Sequence, residues 1–171
     1  VSLISDANLH YYLSGGGGNA DPAASLGGAI SATRIIGSLN NLFDDVTSDE
    51  SGAGDVEYRC IYFKNVDANP MGLIDAKLWI DAQTTSPGTS ISIALGSSSL
   101  NGVEPAVGDE STPPTGPVFT APDSKLAGLT MPTPIVENDH QALWIRRTVS
   151  AGCVASASDA CSVAVEGDSI P

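Results

Sequence analysis

Residues 57–81 read EYRCIYFKNVDANPMGLIDAKLWID, and their reading decides the fold. Tyr58 to Lys64 is aromatic and β-branched. Asn65 to Gly72 is a polar turn holding Pro70 and Gly72, and Leu73 to Asp81 alternates. In that last run Ala76, Leu78 and Ile80 face one way, and Lys77, Trp79 and Asp81 the other. A period of two marks a strand with one buried face. The segment is therefore two β-strands joined by a short turn, with no catalytic motif in it.

Outward from these two strands the pattern repeats. Ala7 to Leu13 reads as a first strand. Gly27 and Gly28 mark a bend, and Ala29 to Ile36 reads as a second strand. Leu39 to Val46 has room for one helical turn, and Thr47 to Gly54 is a polar, acidic loop. Ser90 to Leu95 places Ile91, Ile93 and Leu95 on one face. Gln141 to Val149 places Leu143, Ile145 and Val149 on one face, and Trp144 and Arg146 on the other. Cys161, Val163 and Val165 share a face in a last strand ending at Gly167. No helical crossover of ten residues separates these strands, which argues against a parallel α/β sheet. The expectation is an all-β fold, an antiparallel β-sandwich of jelly-roll type, forming a single domain over 1–171.

Asn101 to Pro134 departs from the pattern. It holds seven prolines and little periodicity, with short edge strands expected at Val118 to Thr120 and Leu126 to Thr130. Proline cannot donate to a ladder, which confines it to edges and loops. An excursion this long within a compact domain is more often functional than idle. Residues 1–7 read as an N-terminal arm. Both segments lack periodicity of their own yet carry apolar side chains. Val1, Leu3, Ile4, Val118, Phe119, Leu126 and Leu129 are accordingly the candidates for contact with a partner.

Composition narrows the function. Twenty acids against seven bases give a net charge of −13 over 171 residues. Such a surface is repelled by phosphate backbones and anionic membranes, so neither nucleic acid nor membrane is an expected partner. No apolar run approaches the roughly 20 residues that span a bilayer. The N-terminus has no basic region or long apolar core, so no signal peptide is expected and synthesis is placed in the cytoplasm. Three cysteines are no disulfide framework. Cys60 reads as a small buried residue, while Cys153 and Cys161 flank a turn and could face each other across it.

Motifs with chemistry are few. Gly15 to Gly18 lacks the Lys-Ser/Thr of a phosphate loop and reads as a flexible loop. Asp44, Asp45, Asp49, Glu50, Asp55 and Glu57 offer oxygen ligands suited to Ca²⁺, but not at EF-hand spacing, so a solvated loop is the plainer reading and no cofactor is expected. His10 and His140 accompany no G-x-S-x-G elbow and no zinc-ligand spacing. No catalytic residues are assigned. Strict alternation points Arg147 along with Leu143 and Ile145, and Arg59 along with Ile61 and Phe63. A charge on a core face needs a partner, so one or both of Arg59 and Arg147 are expected to pair with acids such as Glu57 or Glu166. Trp79 and Trp144 lie opposite the aliphatic faces, either buried under loops or exposed to a partner or sugar.

Several pieces together carry a resemblance: LGGAIS, LFDDVTSDESGAGDVEYRCIYFKN, IDAKLWI, QALWIRRTVSAG and VAVEGD. Through these, over roughly Ser5 to Asp168, the chain resembles small virion structural proteins of tailed bacteriophages. Their specific segments are GDVEYRCIYFKN (Gly54 to Asn65) and ALWIRRTV (Ala142 to Val149). The resemblance implies a non-enzymatic virion protein made in the host cytoplasm. It is similar to capsid decoration (cement) proteins, whose partner would be the major capsid protein, bound as a homo-oligomer on the particle. The alternative is a tail- or head-fibre-associated module binding a host surface glycan through Trp79, Trp144, Tyr11 and Tyr12.

Overall fold

The computed structural model describes residues 6–38, 40–68, 72–154, 156 and 159–169. The alternating segments become seven strands: β1 (Leu9–Leu13), β2 (Asp55–Asn65), β3 (Leu73–Ala82), β4 (Thr89–Leu95), β5 (Leu129–Thr130), β6 (His140–Val149) and β7 (Ser162–Ser169). They form two antiparallel sheets, in the orders β1-β2-β6-β4 and β5-β3-β7. The arrangement is all-β and consistent with a sandwich. Among the described residues no helix is long and apolar enough to cross a membrane.

The period of two does its work in the core. Ile61 and Phe63 of β2, Ile91 and Ile93 of β4, and Leu143 and Ile145 of β6 point from the first sheet. They meet Leu73, Ala76, Leu78 and Ile80 of β3 from the second, with Val163 and Val165 of β7 packed against them. The opposite face of the first sheet is also buried. Tyr58, Cys60, Tyr62, Ala94, Ala142 and Trp144 form a second cluster there, covered by Tyr12, Ile30, Val107 and Phe119. The cover comes mainly from loops, which makes the four-stranded sheet the middle of three layers.

Two elements differ from expectation. Only an isolated bridge between Tyr12 and Arg34 forms within residues 29–36, although across the β1 edge Leu13 N–H donates to Thr33 C=O, Ser31 N–H to Leu13 C=O and Ile35 N–H to Tyr11 C=O. The glycine bend at 27–28 commits this segment to covering the sheet instead. The short helix lies at α1 (Ser48–Ala53), inside the expected acidic loop. Its cause is a capping box: the Thr47 hydroxyl accepts from Glu50 N–H, and the Glu50 carboxylate accepts from Thr47 N–H.

Candidate functional site

The Pro-rich excursion is part of the third layer, and its position is set by one carboxylate. Glu104 is 1% exposed. It accepts from Trp144 Nε1 (2.9 Å), Ser97 N–H (2.9 Å), Ser98 N–H (2.8 Å) and Ser97 Oγ (3.2 Å). Trp144 projects from the middle of β6 with its indole fully buried, so its N–H requires an acceptor from above. Beside it, Tyr62 Oη donates to Gly28 C=O (2.6 Å) and accepts from Glu104 N–H (3.0 Å). Two sheet side chains thus hold two loops.

The loops are also joined to each other. Gly28 N–H donates to Glu104 C=O, and Val107 N–H to Leu26 C=O. Gly27 has φ +102°, and a Cβ there would lie 2.4 Å from the Pro105 carbonyl. That close approach and the positive φ both require glycine. Farther along, Phe119 packs edge-on against Tyr58 (5.4 Å) with the Arg146 guanidinium 5.2 Å from its ring. Thr120 bridges Ile93, closing the β4 edge.

Burial alone would raise the Glu104 carboxyl, but the hydrogen bonds from Trp144, Ser97 and Ser98 hold it below the usual carboxylate range. Asp159 is held low in the same manner, burial being outweighed by Thr89, Ser86 and Thr85 at the β3–β4 turn. A folded carboxyl that is a stronger acid than its unfolded form stabilises the fold above the unfolded pKa, about 4.3 for Glu. That contribution is lost as pH falls through the folded value. Burial raises Glu57, so its own term runs the other way and is largest in acid. Urea midpoints followed from about pH 6 down to about pH 3 should fall for the native chain. The acid-side slope should be shallower in Glu104→Gln, which has no carboxylate there to protonate.

What this layer presents to solvent is narrower than the sequence suggested. Val103 is 66%, Val118 75% and Leu126 96% exposed. Phe119 points inward onto the sheet, where Tyr58 and Arg146 occupy it, and Leu129 is half-buried in the inter-sheet core. Neither is freely available to a partner. Val1, Leu3 and Ile4 lie outside the described residues. Two shallow depressions lie in this loop layer. One of about 260 Å³ is lined by residues 104–108 and 112–115. The other, about 290 Å³, is bordered by Leu95, Pro117, Val118 and Leu129.

The arginines occupy one end of the inter-sheet core. Arg147 donates from Nε to Glu57 Oε2 at 2.5 Å and pairs with the same oxygen through Nη2. It also reaches Asp44 C=O (2.6 Å). Arg59 pairs with Glu110 (2.5 Å) and lies 3.7 Å from Glu57. The Phe43 ring lies 4.8 Å from the Arg147 guanidinium and 5.4 Å from that of Arg59. Glu166 takes no part. It sits on the outer face of β7 and pairs with Lys125 (2.7 Å), because the alternation that turns Val163 and Val165 to the core turns Glu166 to solvent.

The remaining candidates separate. Trp144 is enclosed by the loops and cannot stack on a sugar. Tyr11 is turned into the core, with Oη donating to Val163 C=O (3.2 Å) and burial pushing its ionisation upward. Tyr12 packs under the outer cluster. Trp79 alone of the four keeps its ring on an open face, half-buried on the outside of β3. His10 Nε2 meets Ala7 C=O, and His140 packs against Tyr62. Gly15 to Gly18 form a turn tied down by Gly16 N–H to Ala29 C=O. Cys153 and Cys161 are not bonded to each other. The acidic run is divided among Arg147, the α1 cap and the core. Among the described residues no three His, Cys, Asp or Glu side chains gather as metal ligands.

Comparison with known proteins gives no match to any family model, curated protein or solved structure. The geometry stands alone: a four-stranded sheet with a fixed loop layer, exposed apolar side chains at Val103, Val118 and Leu126, and shallow depressions. Sequence reasoning missed Glu104 as the residue that fixes this layer. The available signal was Trp144, an indole mid-strand whose N–H, on the reading that buries it under loops, had to be met by an acceptor from elsewhere.

Proposed function

We propose that this protein is a non-enzymatic virion structural protein of a tailed bacteriophage, a capsid decoration or cement protein that binds and stabilises the major capsid lattice. We further propose that its two sheets form a jelly-roll-like sandwich. The observation that carries this reading is the excursion itself. Residues 97–120 are fastened to the sheet through Glu104, Tyr62 and Phe119 while holding Val118 out to solvent. A binding surface held rigid in advance loses little entropy on docking. Repeated over a lattice, even weak contacts add through avidity, and binding only the assembled shell favours that shell by mass action.

The test is binding of purified protein to expanded capsids that lack it. The native chain is expected to saturate the shell, and Val118→Asp/Leu126→Asp to bind at least tenfold more weakly. Both side chains are exposed, so their replacement should change stability by no more than about 0.5 kcal/mol. Failure of the native chain to bind such capsids overturns the proposal.

A second reading rests on Trp79. Its ring lies on the outer face of β3, next to Lys77, whose Nζ donates to Thr130 Oγ1. An open indole beside polar groups is suited to stacking on a sugar ring, as a tail- or head-fibre-associated module binding a host glycan would require. A glycan array in which Trp79→Ala abolishes binding would favour it.

A further inference from the structure

Among the described residues the fold covers its strand edges with one exception. The β1 edge meets residues 31–35. Past the end of β1, Cys60 N–H of β2 donates to Ser25 C=O and Tyr58 N–H to Glu110 C=O. On β4, Ile93 exchanges both backbone bonds with Thr120, and Ile91 N–H donates to the Gln83 side chain. The far side of β3 meets β5, Pro122 and Ile135. The outer edge of β7 is different. Among the described residues no backbone group meets it, and only the Tyr11 hydroxyl touches it, at the Val163 carbonyl. An edge that no described backbone group meets is a template for another strand.

We infer that the β7 edge docks against β7 of a second copy of this chain, antiparallel about a two-fold axis at Val165. The backbone directions permit it. Ile80 N–H donates to Pro122, away from β7, so its partner Val163 also directs its backbone groups away from β3. By alternation Val165, opposite Leu78, does the same. With the axis at Val165, that residue exchanges hydrogen bonds with its own copy, and Val163 stands opposite Gly167 of the copy.

Side-chain chemistry selects this register. Placed this way, Glu166 faces Ala164 of the copy, and Asp168 faces Ser162. All residues from 162 to 168 are paired and no acid faces an acid. An axis at Glu166 would set Glu166 against itself, and one at Gly167 would set Glu166 against Asp168. Like charges directly opposite are destabilising. An axis at Ala164 avoids the clash but pairs only residues 162–166. The product is one continuous six-stranded sheet, β5-β3-β7-β7-β3-β5, with both Trp79 rings on the same face. An isologous contact of this kind closes and does not propagate. The inference is independent of the capsid proposal, since it concerns the protein in solution.

The experiment is sedimentation velocity of the 171-residue chain from micromolar to millimolar concentration, with amide exchange of β7 followed in parallel. A monomer–dimer equilibrium is expected, tightening with salt because copies of charge −13 repel. Val165 amide exchange should slow as dimer forms. Each dimer contains the Ala164–Glu166 juxtaposition twice. Ala164→Lys should therefore tighten the dimer, and Ala164→Glu should loosen it, each by roughly 2- to 30-fold. A chain monomeric at every concentration overturns the inference. So does an oligomer indifferent to both substitutions, which would associate through another surface. Val165 protection that is already complete in the monomer also overturns it, because another segment would then cover the edge.

Discussion

Glu57→Ala is expected to unfold at markedly lower urea, with a stability loss of about 3–5 kcal/mol. The reason is asymmetric. Glu57 and Arg59 are each 1% exposed and Arg147 is 8% exposed. Taking charges out of water costs several kcal/mol per ion, which is recovered only when the pair is intact. Removing the side chain takes away the acceptor of both arginines and leaves Arg147 with the Asp44 carbonyl and carboxylate, and Arg59 with Glu110. These contacts and the Phe43 ring offset part of the loss, placing the effect toward the lower end of that range. A loss under about 1 kcal/mol, the scale of an exposed pair, would mean that water reaches this end of the core and that the cluster is not sealed.

The second large effect belongs to Glu104. Glu104→Ala removes the acceptor of Trp144 Nε1 and of the Ser97 and Ser98 N–H groups at once. Each buried donor left unsatisfied costs about 1–3 kcal/mol. Water entering the vacated space offsets some of this, so a total of about 2–4 kcal/mol is expected. The distribution matters more than the sum. Amide exchange should rise in residues 25–31 and 97–107, the two loops joined through Gly28 and Glu104, while β3 and β7 keep their protection. Trp144 fluorescence should shift to the red as its surroundings become wet. Exchange that rises uniformly, or not at all, would contradict the assignment of Glu104 as the residue that fixes the outer layer.

The strands were legible because alternation is a local signal. Ala76, Leu78 and Ile80 identify the buried face of β3 without knowledge of any other residue. Arg59 and Arg147 were legible for the same reason, since alternation sends both toward a core that cannot accept a lone charge. The Thr47–Glu50 capping box was also readable, but the density of acids around it suggested a solvated loop. The third layer was not readable. Glu104 is an unremarkable acid among prolines until Trp144, 40 residues away, is placed beneath it. Residues 29–36 have strand-like composition, and only tertiary context makes them a cover. Phe119 and Val118 are neighbours of similar apolar character, yet one packs on Tyr58 and the other faces solvent. That choice is made by the path of the loop.

The contact surface of the proposed decoration protein is therefore small, and its strength must come from repetition. Val118 and Leu126 are isolated apolar side chains, and single exposed apolar residues are ordinary on protein surfaces. What distinguishes Val118 is the fixed layer behind it. If the layer is loosened in Glu104→Ala, binding to the shell should weaken even with Val118 and Leu126 unchanged, because the surface must then be ordered on docking.

The most direct measurement is the copy number of this protein in purified particles, by quantitative mass spectrometry against the major capsid protein. A decoration role predicts a ratio near one, or a simple fraction of it. A ratio of a few per cent would contradict that role and place the protein at the tail or a vertex, and its absence from particles would contradict the virion proposal altogether.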